Sequence, residues 1–222
     1  MVSLGPGDPE LITLKALKAL KDCDAIGVPT KSSDGSFDRS LTYKIVRSLM
    51  ESEGFERPIF PVYTPMRFRE EDWQAQVETL YGAMEEHGRV CFVTLGDSGI
   101  YSTVYYLLDR IAEQRPEVYA GCEVIPGVTS FSQASARARK PLCVGESQLR
   151  IVPLLDKDVP TTTVYMRPKI GMETDVIPQE GAMMTFEDLG FVGERITEGK
   201  IQTVRRYMTL LIDFFKKDPH AV

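Results

Sequence analysis

The sequence of 222 residues predicts an α/β fold in two domains. Strand-like and helix-like hydrophobic periods alternate from the first residue to about residue 139, which implies a mostly parallel sheet joined by crossover helices. Turns bearing glycine or proline stand where three of the strands end, at Gly5-Pro6-Gly7, Gly96-Asp97 and Pro126-Gly127. Beyond Lys140 short strands follow one another with few helical periods between them, which implies a mixed sheet in a second domain. The expected boundary places an N-terminal α/β domain over 1–120 and a C-terminal α/β domain over 121–222.

The elements follow in order. Met1 to Leu4 reads as a strand, and Asp8 suits the N-cap of a helix that Pro9 opens. Leu11, Leu14, Leu17 and Leu20 recur at helical spacing, and Asp24 to Val28 is a short apolar strand. Thr30 to Asp38, rich in Ser, Asp and Gly, reads as a mobile loop before a helix from Arg39 to Met50. A strand at Ile59–Tyr63, a helix over Glu70–Glu86 and a buried strand over Val90–Leu95 come next. Helix is expected over Tyr101–Glu113, strand over Glu123–Ile125 and helix over Thr129–Arg139. Later strands are expected at Leu149–Leu154, Thr161–Met166, Ala182–Thr185 and Tyr207–Phe214.

Composition excludes several functions. The chain carries 26 Lys plus Arg against 32 Asp plus Glu, a net charge of −6, the opposite of a nucleic-acid footprint. The longest apolar stretches, such as Val104–Leu108, fall far short of the ~20 residues a membrane span needs, and no basic and apolar leader opens the chain. Cys23, Cys91, Cys122 and Cys143 form no CxxC pair and have only His87 and His220 as companions, so they read as reduced core residues and no metal site is expected. A cytoplasmic protein is the expectation.

Three short constellations hold the chemistry. Gly5-Pro6-Gly7-Asp8 permits positive φ and close approach of a ligand to backbone, yet lacks the spacing of a dinucleotide fingerprint or a phosphate loop. Thr94-Leu95-Gly96-Asp97-Ser98-Gly99-Ile100-Tyr101-Ser102-Thr103 lies at the carboxyl end of an apolar strand, where open α/β sheets bind ligands. Its glycine opens the backbone, and its carboxylate can accept hydrogen bonds from ribose hydroxyls or an ammonium group; Asp97 also reads as a plain helix N-cap. In Val124-Ile125-Pro126-Gly127-Val128-Thr129-Ser130, Thr129 or Ser130 can cap a helix, bind a ligand, or do both.

In this order and at these distances the three motifs resemble the tetrapyrrole (corrin and porphyrin) methylase family, over Val2 to about Pro153 and more thinly beyond. The run from Thr94 to Thr103 followed by Glu123–Phe131 looks most like the members acting on C-20 of precorrin-2 or cobalt-precorrin-2 in vitamin B12 synthesis. The family usually has a full helix between the strands that end near Met166 and begin near Met184, where this chain has the short segment 167–181.

The resemblance implies a two-domain architecture with the site in a cleft between domains, S-adenosylmethionine as methyl donor, and a homodimer. It implies that Pro6, Leu95, Gly96, Asp97, Ile100, Tyr101, Thr129, Ser130 and Met166 hold the cosubstrate, with Asp97 positioning it or balancing charge at the reaction centre. A sulfonium methyl is already activated, so transfer to a ring carbon needs alignment and exclusion of water more than a strong base. A substrate rich in carboxylates needs local cations, for which Lys31, Arg39, Arg67 and Arg69 are candidates. Two other readings stay open: methylation of a different tetrapyrrole carbon, and a binding protein that keeps the fold without turnover.

Overall fold

The computed structural model describes residues 1–65, 67, 69–151, 161–166, 168–188 and 191–215. By compactness the chain divides into two units, Met1–Pro153 and Leu154–Val222, later than the boundary expected at 120/121. The tail of the first unit explains the difference. Ile125 donates its N–H to the Met1 carbonyl at 2.9 Å and accepts from Ser3 N at 3.1 Å, and its side chain is buried in the same core as Val2 and Leu4.

In the first unit β1 (Val2–Ser3), β2 (Ala25–Thr30), β3 (Ile59–Tyr63) and β4 (Val90–Thr94) form one sheet in the order β1-β4-β2-β3, parallel at every pairing. Ile125 adds a parallel bridge on the outer side of β1. Helices α1 (Leu14–Asp22), α2 (Leu41–Glu53), α3 (Glu70–His87), α4 (Val104–Gln114), α5 (Pro116–Gly121) and α6 (Ser130–Ala138) follow the strands. α1 and α2 contribute Leu20, Val46 and Leu49 to a core against β1, β2 and β4. α3 and α4 contribute Trp73, Val77, Leu107 and Ile111 to a second core that holds Val62 of β3 and Phe92 of β4. Burying β2 and β4 between these cores explains why those two read as continuous apolar runs.

Local chemistry moved several boundaries. Asp8 caps as expected, accepting from Glu10 N at 3.0 Å, but only over a 3₁₀ turn, Pro9–Leu11; α1 starts after Thr13, whose hydroxyl accepts from Ala16 N. α4 begins at Val104 rather than Tyr101, because Tyr101 is left-handed, with φ 51°, a conformation that cannot continue a helix. The loop expected over Thr30–Asp38 carries hydrogen bonds at both ends: Thr30 Oγ1 donates to the Ser36 carbonyl at 2.6 Å, and Ser40 Oγ donates to the Pro29 carbonyl at 2.9 Å. Asp34 Oδ1 accepts from Ser36 N, which holds the Asp34 carboxyl below its ordinary range. No strand forms at 149–151; the rest of that expected strand, 152–154, lies outside the described residues.

In the second unit β5 (Thr163–Met166), β6 (Ala182–Glu187), β7 (Arg195–Glu198) and β8 (Thr209–Phe214) form a sheet in the order β5-β8-β6-β7. Its described pairings are all antiparallel, not mixed as expected, and the described residues of this unit hold no α-helix beyond a 3₁₀ turn at Thr174–Val176. Met183 and Leu211 on one face pack with Ile177 to form its small core. Among the described residues, no helix is long and apolar enough to cross a membrane.

Candidate functional site

Strand order alone locates a crevice in the first unit. From β1 the chain runs through α1 to β2, on the far side of β4; from β4 it runs through α4 and α5 to Ile125, on the far side of β1. Two adjacent parallel strands therefore send their connections in opposite directions, and the carboxyl edge between them is left open, the place where α/β sheets bind ligands. Gly5 follows β1 and Gly96 follows β4, so both glycine loops emerge there.

Backbone and side-chain hydrogen bonds fasten three loops at that edge. Gly5 and Gly96 exchange N–H to carbonyl bonds at 3.1 and 2.7 Å. Ser3, fully buried, accepts the Ser98 N–H on its hydroxyl at 3.0 Å. Asp97 uses both carboxylate oxygens: Oδ1 accepts from Gly99 N at 2.8 Å and Oδ2 from Gly127 N at 2.7 Å. A Cβ on Gly127 would lie 2.6 Å from the Gly96 carbonyl oxygen and 2.7 Å from Ser3 Cβ, so glycine is required there by space. The N-cap reading of Asp97 is thus replaced. α4 starts later, and Asp97 ties the second loop to the third.

The other expected residues fall in two places. Leu95 (42% exposed), Ile100 (39%) and Tyr101 (67%) present apolar surface around Gly96, and Pro6 lies half-buried on the adjoining loop. Thr129 caps α6, its hydroxyl accepting from Ser132 N at 3.3 Å, and Ser130 is the exposed first residue of that helix. Met166 ends β5 in the second unit, 72% exposed and paired with Leu210.

Sequence reasoning missed Ser3 and the packing of Gly127. A lone polar residue inside a buried strand was the available signal for Ser3; nothing local signals a glycine that other loops crowd. It also missed a cavity of about 290 Å³ between the first loop and α6, lined by Leu11, Val128 and Ala136, with Asp8 and Arg137 3.9 Å apart beside it.

Gly7 and Gly96 have positive φ and no heavy atom within 4 Å of where a Cβ would stand, so a ligand can lie close against the backbone there, and Leu95, Ile100 and Tyr101 offer apolar contact. Burial pushes the Tyr105 phenol up, and the neighbouring Asp97 adds to the effect. Of the four candidate cations, Arg67 is committed to Asp72 by two hydrogen bonds of 3.0 and 2.8 Å, and Arg69 lies 3.7 Å from Glu71. Lys31 and Arg39 are exposed on the loop after β2, at the carboxyl edge of the same sheet. Among the described residues, no group of three or more His, Cys, Asp or Glu is placed to hold a metal. All four cysteines are free thiols; Cys23 and Cys91 are buried, whereas Cys143 is exposed and not in the core.

Known proteins match this arrangement. A protein of Methanocaldococcus jannaschii, named a probable cobalt-precorrin-2 C(20)-methyltransferase, is 30% identical over 95% of this chain and 93% of its own. The cobalt-precorrin-2 C(20)-methyltransferase of Salmonella typhimurium is 33% identical over 68% of this chain, which spans 61% of that enzyme. Among solved structures, a cobalamin-synthesis-related protein of Corynebacterium diphtheriae shares the fold, with a TM-score of 0.51 at 16% identity over 97% of each chain. The model of the Tetrapyrrole (Corrin/Porphyrin) Methylases matches residues 1–204, and with three glycine loops fastened at one sheet edge, the chain belongs to that family.

Proposed function

We propose that this protein transfers a methyl group from S-adenosylmethionine to C-20 of precorrin-2 or cobalt-precorrin-2, a step of cobalamin biosynthesis. The observation that carries the reading is the fastening of Gly5, Gly96 and Gly127 around Asp97, together with a relative of nearly equal length named for that reaction. When bound, the cosubstrate supplies a methyl that is electrophilic without help from an acid. The protein's own work is then positional. Gly7 and Gly96 leave backbone accessible; Leu95, Ile100 and Tyr101 shed water from the bound nucleoside; Asp97 holds the shape of the crevice; Pro6, Thr129, Ser130 and Met166 complete the set assigned to cosubstrate binding. Asp97 is a positioning residue in this scheme, since both of its oxygens already accept backbone N–H groups. Lys31 and Arg39 are assigned to the substrate's carboxylates. The reading extends to a cytoplasmic homodimer acting on a small molecule, which the acidic balance of the chain and the family's habits support.

The test pairs calorimetry with S-adenosylhomocysteine and mass analysis of the product from precorrin-2 and from its cobalt form. One added methyl at C-20 is expected with at least one substrate. Asp97→Ala is expected to lower both affinity and turnover by at least tenfold; wild-type values for both would remove Asp97 from the site. Binding without turnover on either substrate would leave a ligand-binding member of the family instead.

A further inference from the structure

Apart from the crevice, the second unit holds a cavity of about 330 Å³, within the size range of small-ligand sites. Its lining includes Arg195, Arg205, Arg206, Gln202, Thr203 and Glu187, a concentration of cations unusual in a chain of net charge −6.

The three arginines are not equivalent. Arg206 is occupied: it ion-pairs with Asp188, donates to the Gly193 carbonyl at 3.1 Å and lies 3.9 Å from Glu187. Arg195 stands opposite Glu187 in the β6–β7 pairing. Among the described residues, Arg195 and Arg205 take part in no ion pair or side-chain hydrogen bond, and both are exposed. Arg206 is shared between Asp188 and Glu187, so the three arginines outnumber those two carboxylates by one, and the two unpaired guanidiniums are the ones left to meet an anion.

The wall that carries Arg205 is fixed by backbone. Thr174 N donates to the Gln202 carbonyl at 3.0 Å, Val204 N to the Met172 carbonyl at 2.9 Å, and Gly171 N to the Val204 carbonyl at 2.8 Å. Thr203 Oγ1 donates to Glu173 Oε1 at 2.9 Å. β7 carries Arg195 on the other wall and is held in register by β6. The two free cations thus stand on walls that neither one has to order, and the Gln202 amide adds neutral donors. Guanidinium groups match the planar forks of carboxylate and phosphate.

From this arrangement we propose that the cavity of the second unit is a binding site for a small multivalent oxyanion, held by Arg195 and Arg205 with Gln202 beside them. The shared chemistry is two or more carboxylate or phosphoryl oxygens within one small cavity. A free metabolite and the carboxylate side chains of a tetrapyrrole are its two possible sources.

Calorimetric titration of the full chain with pyrophosphate, citrate and uroporphyrin, at one fixed ionic strength, tests the assignment. Saturable binding of at least one probe is expected, weakened about tenfold by Arg195→Ala or Arg205→Ala and abolished by the double variant. Both side chains are exposed and unpaired, and unchanged S-adenosylhomocysteine binding and thermal midpoint identify a variant that is folded. Binding of pyrophosphate or citrate alone points to a free metabolite, whereas uroporphyrin displacing them points to the tetrapyrrole. If no probe binds saturably, or if a folded double variant binds as the wild type does, the site is refuted. A Lys31→Ala, Arg39→Ala variant, whose residues are assigned to the tetrapyrrole in the crevice, must leave the pyrophosphate and citrate titrations unchanged; loss of their binding there would also overturn the assignment.

Discussion

Gly127→Ala adds one methyl where three loops meet. The backbone of Gly127 lies outside the left-handed region, so alanine is permitted by conformation and is excluded only by its neighbours. Those neighbours cannot yield cheaply: the Gly96 carbonyl at 2.6 Å and Gly5 N at 3.3 Å are backbone, and Ser3 Cβ at 2.7 Å sits in a buried strand. Overpacking of this kind costs about 1–3 kcal/mol. Relief by moving the turn outward stretches the 2.7 Å bond from Gly127 N to Asp97, a charge-assisted bond worth about 1.5–3 kcal/mol. Alanine returns about 0.4–1 kcal/mol through the unfolded chain, leaving a net loss of about 3 kcal/mol. For a chain of this size that lowers the thermal midpoint by about 10 °C, read by circular dichroism, and calorimetry should find weaker S-adenosylhomocysteine binding in the variant at a temperature where it remains folded. In an Asp97→Ala background the bond is already gone, so the second substitution should cost less than it does alone. A single variant that melts within about 2 °C of wild type, with unchanged affinity, would refute the packing of the three loops described above.

Gly82→Ala supplies the opposite sign: Gly82 is exposed inside α3 with nothing within 4 Å of a Cβ, so alanine should stabilise by about 0.5–1 kcal/mol, and a lowered midpoint would contradict the helix assignment. Iodoacetamide at pH 8 should label exposed Cys143 first and leave buried Cys23 and Cys91 unlabelled in the native protein. Burial pushes the Cys122 thiol up, which lowers its thiolate fraction at that pH, so its labelling should lag behind Cys143 and accelerate as pH rises; peptide mapping by mass spectrometry with Cys122 labelled first would be inconsistent with that environment.

In the sheet of the first unit β2 and β4 were legible because they are buried and read as apolar runs, whereas β3, an edge strand with Pro61 and Tyr63 exposed, was legible from its apolar and aromatic composition. Ile59–Tyr63 matches the expected bounds, and Glu70–His87 runs one residue beyond them. β7 was missed for the converse reason: Arg195–Glu198 lies at a sheet edge with every residue exposed, so no alternation marks it. The start of α1 moved because Thr13 outcompetes Asp8 as a cap, a contest between two good capping residues that spacing does not decide. The three loops that meet at this edge were all legible in the sequence, but the bond from Gly127 N to Asp97 was not, because the two residues are 30 positions apart and no local pattern pairs them.

The joining of Ser3, Gly96, Asp97 and Gly127 has a consequence for how the crevice meets a ligand. Each of these bonds links segments far apart in sequence, and two of the segments are continuous with β1 and β4. The crevice can therefore loosen only by unpicking the sheet edge itself, in the most cooperative part of the unit. A ligand arriving there finds main-chain groups whose conformational entropy was surrendered during folding, so little ordering remains to oppose binding. The same wiring couples the shape of this edge to folding: a change at any one of these four residues that suits a different ligand also moves the melting temperature.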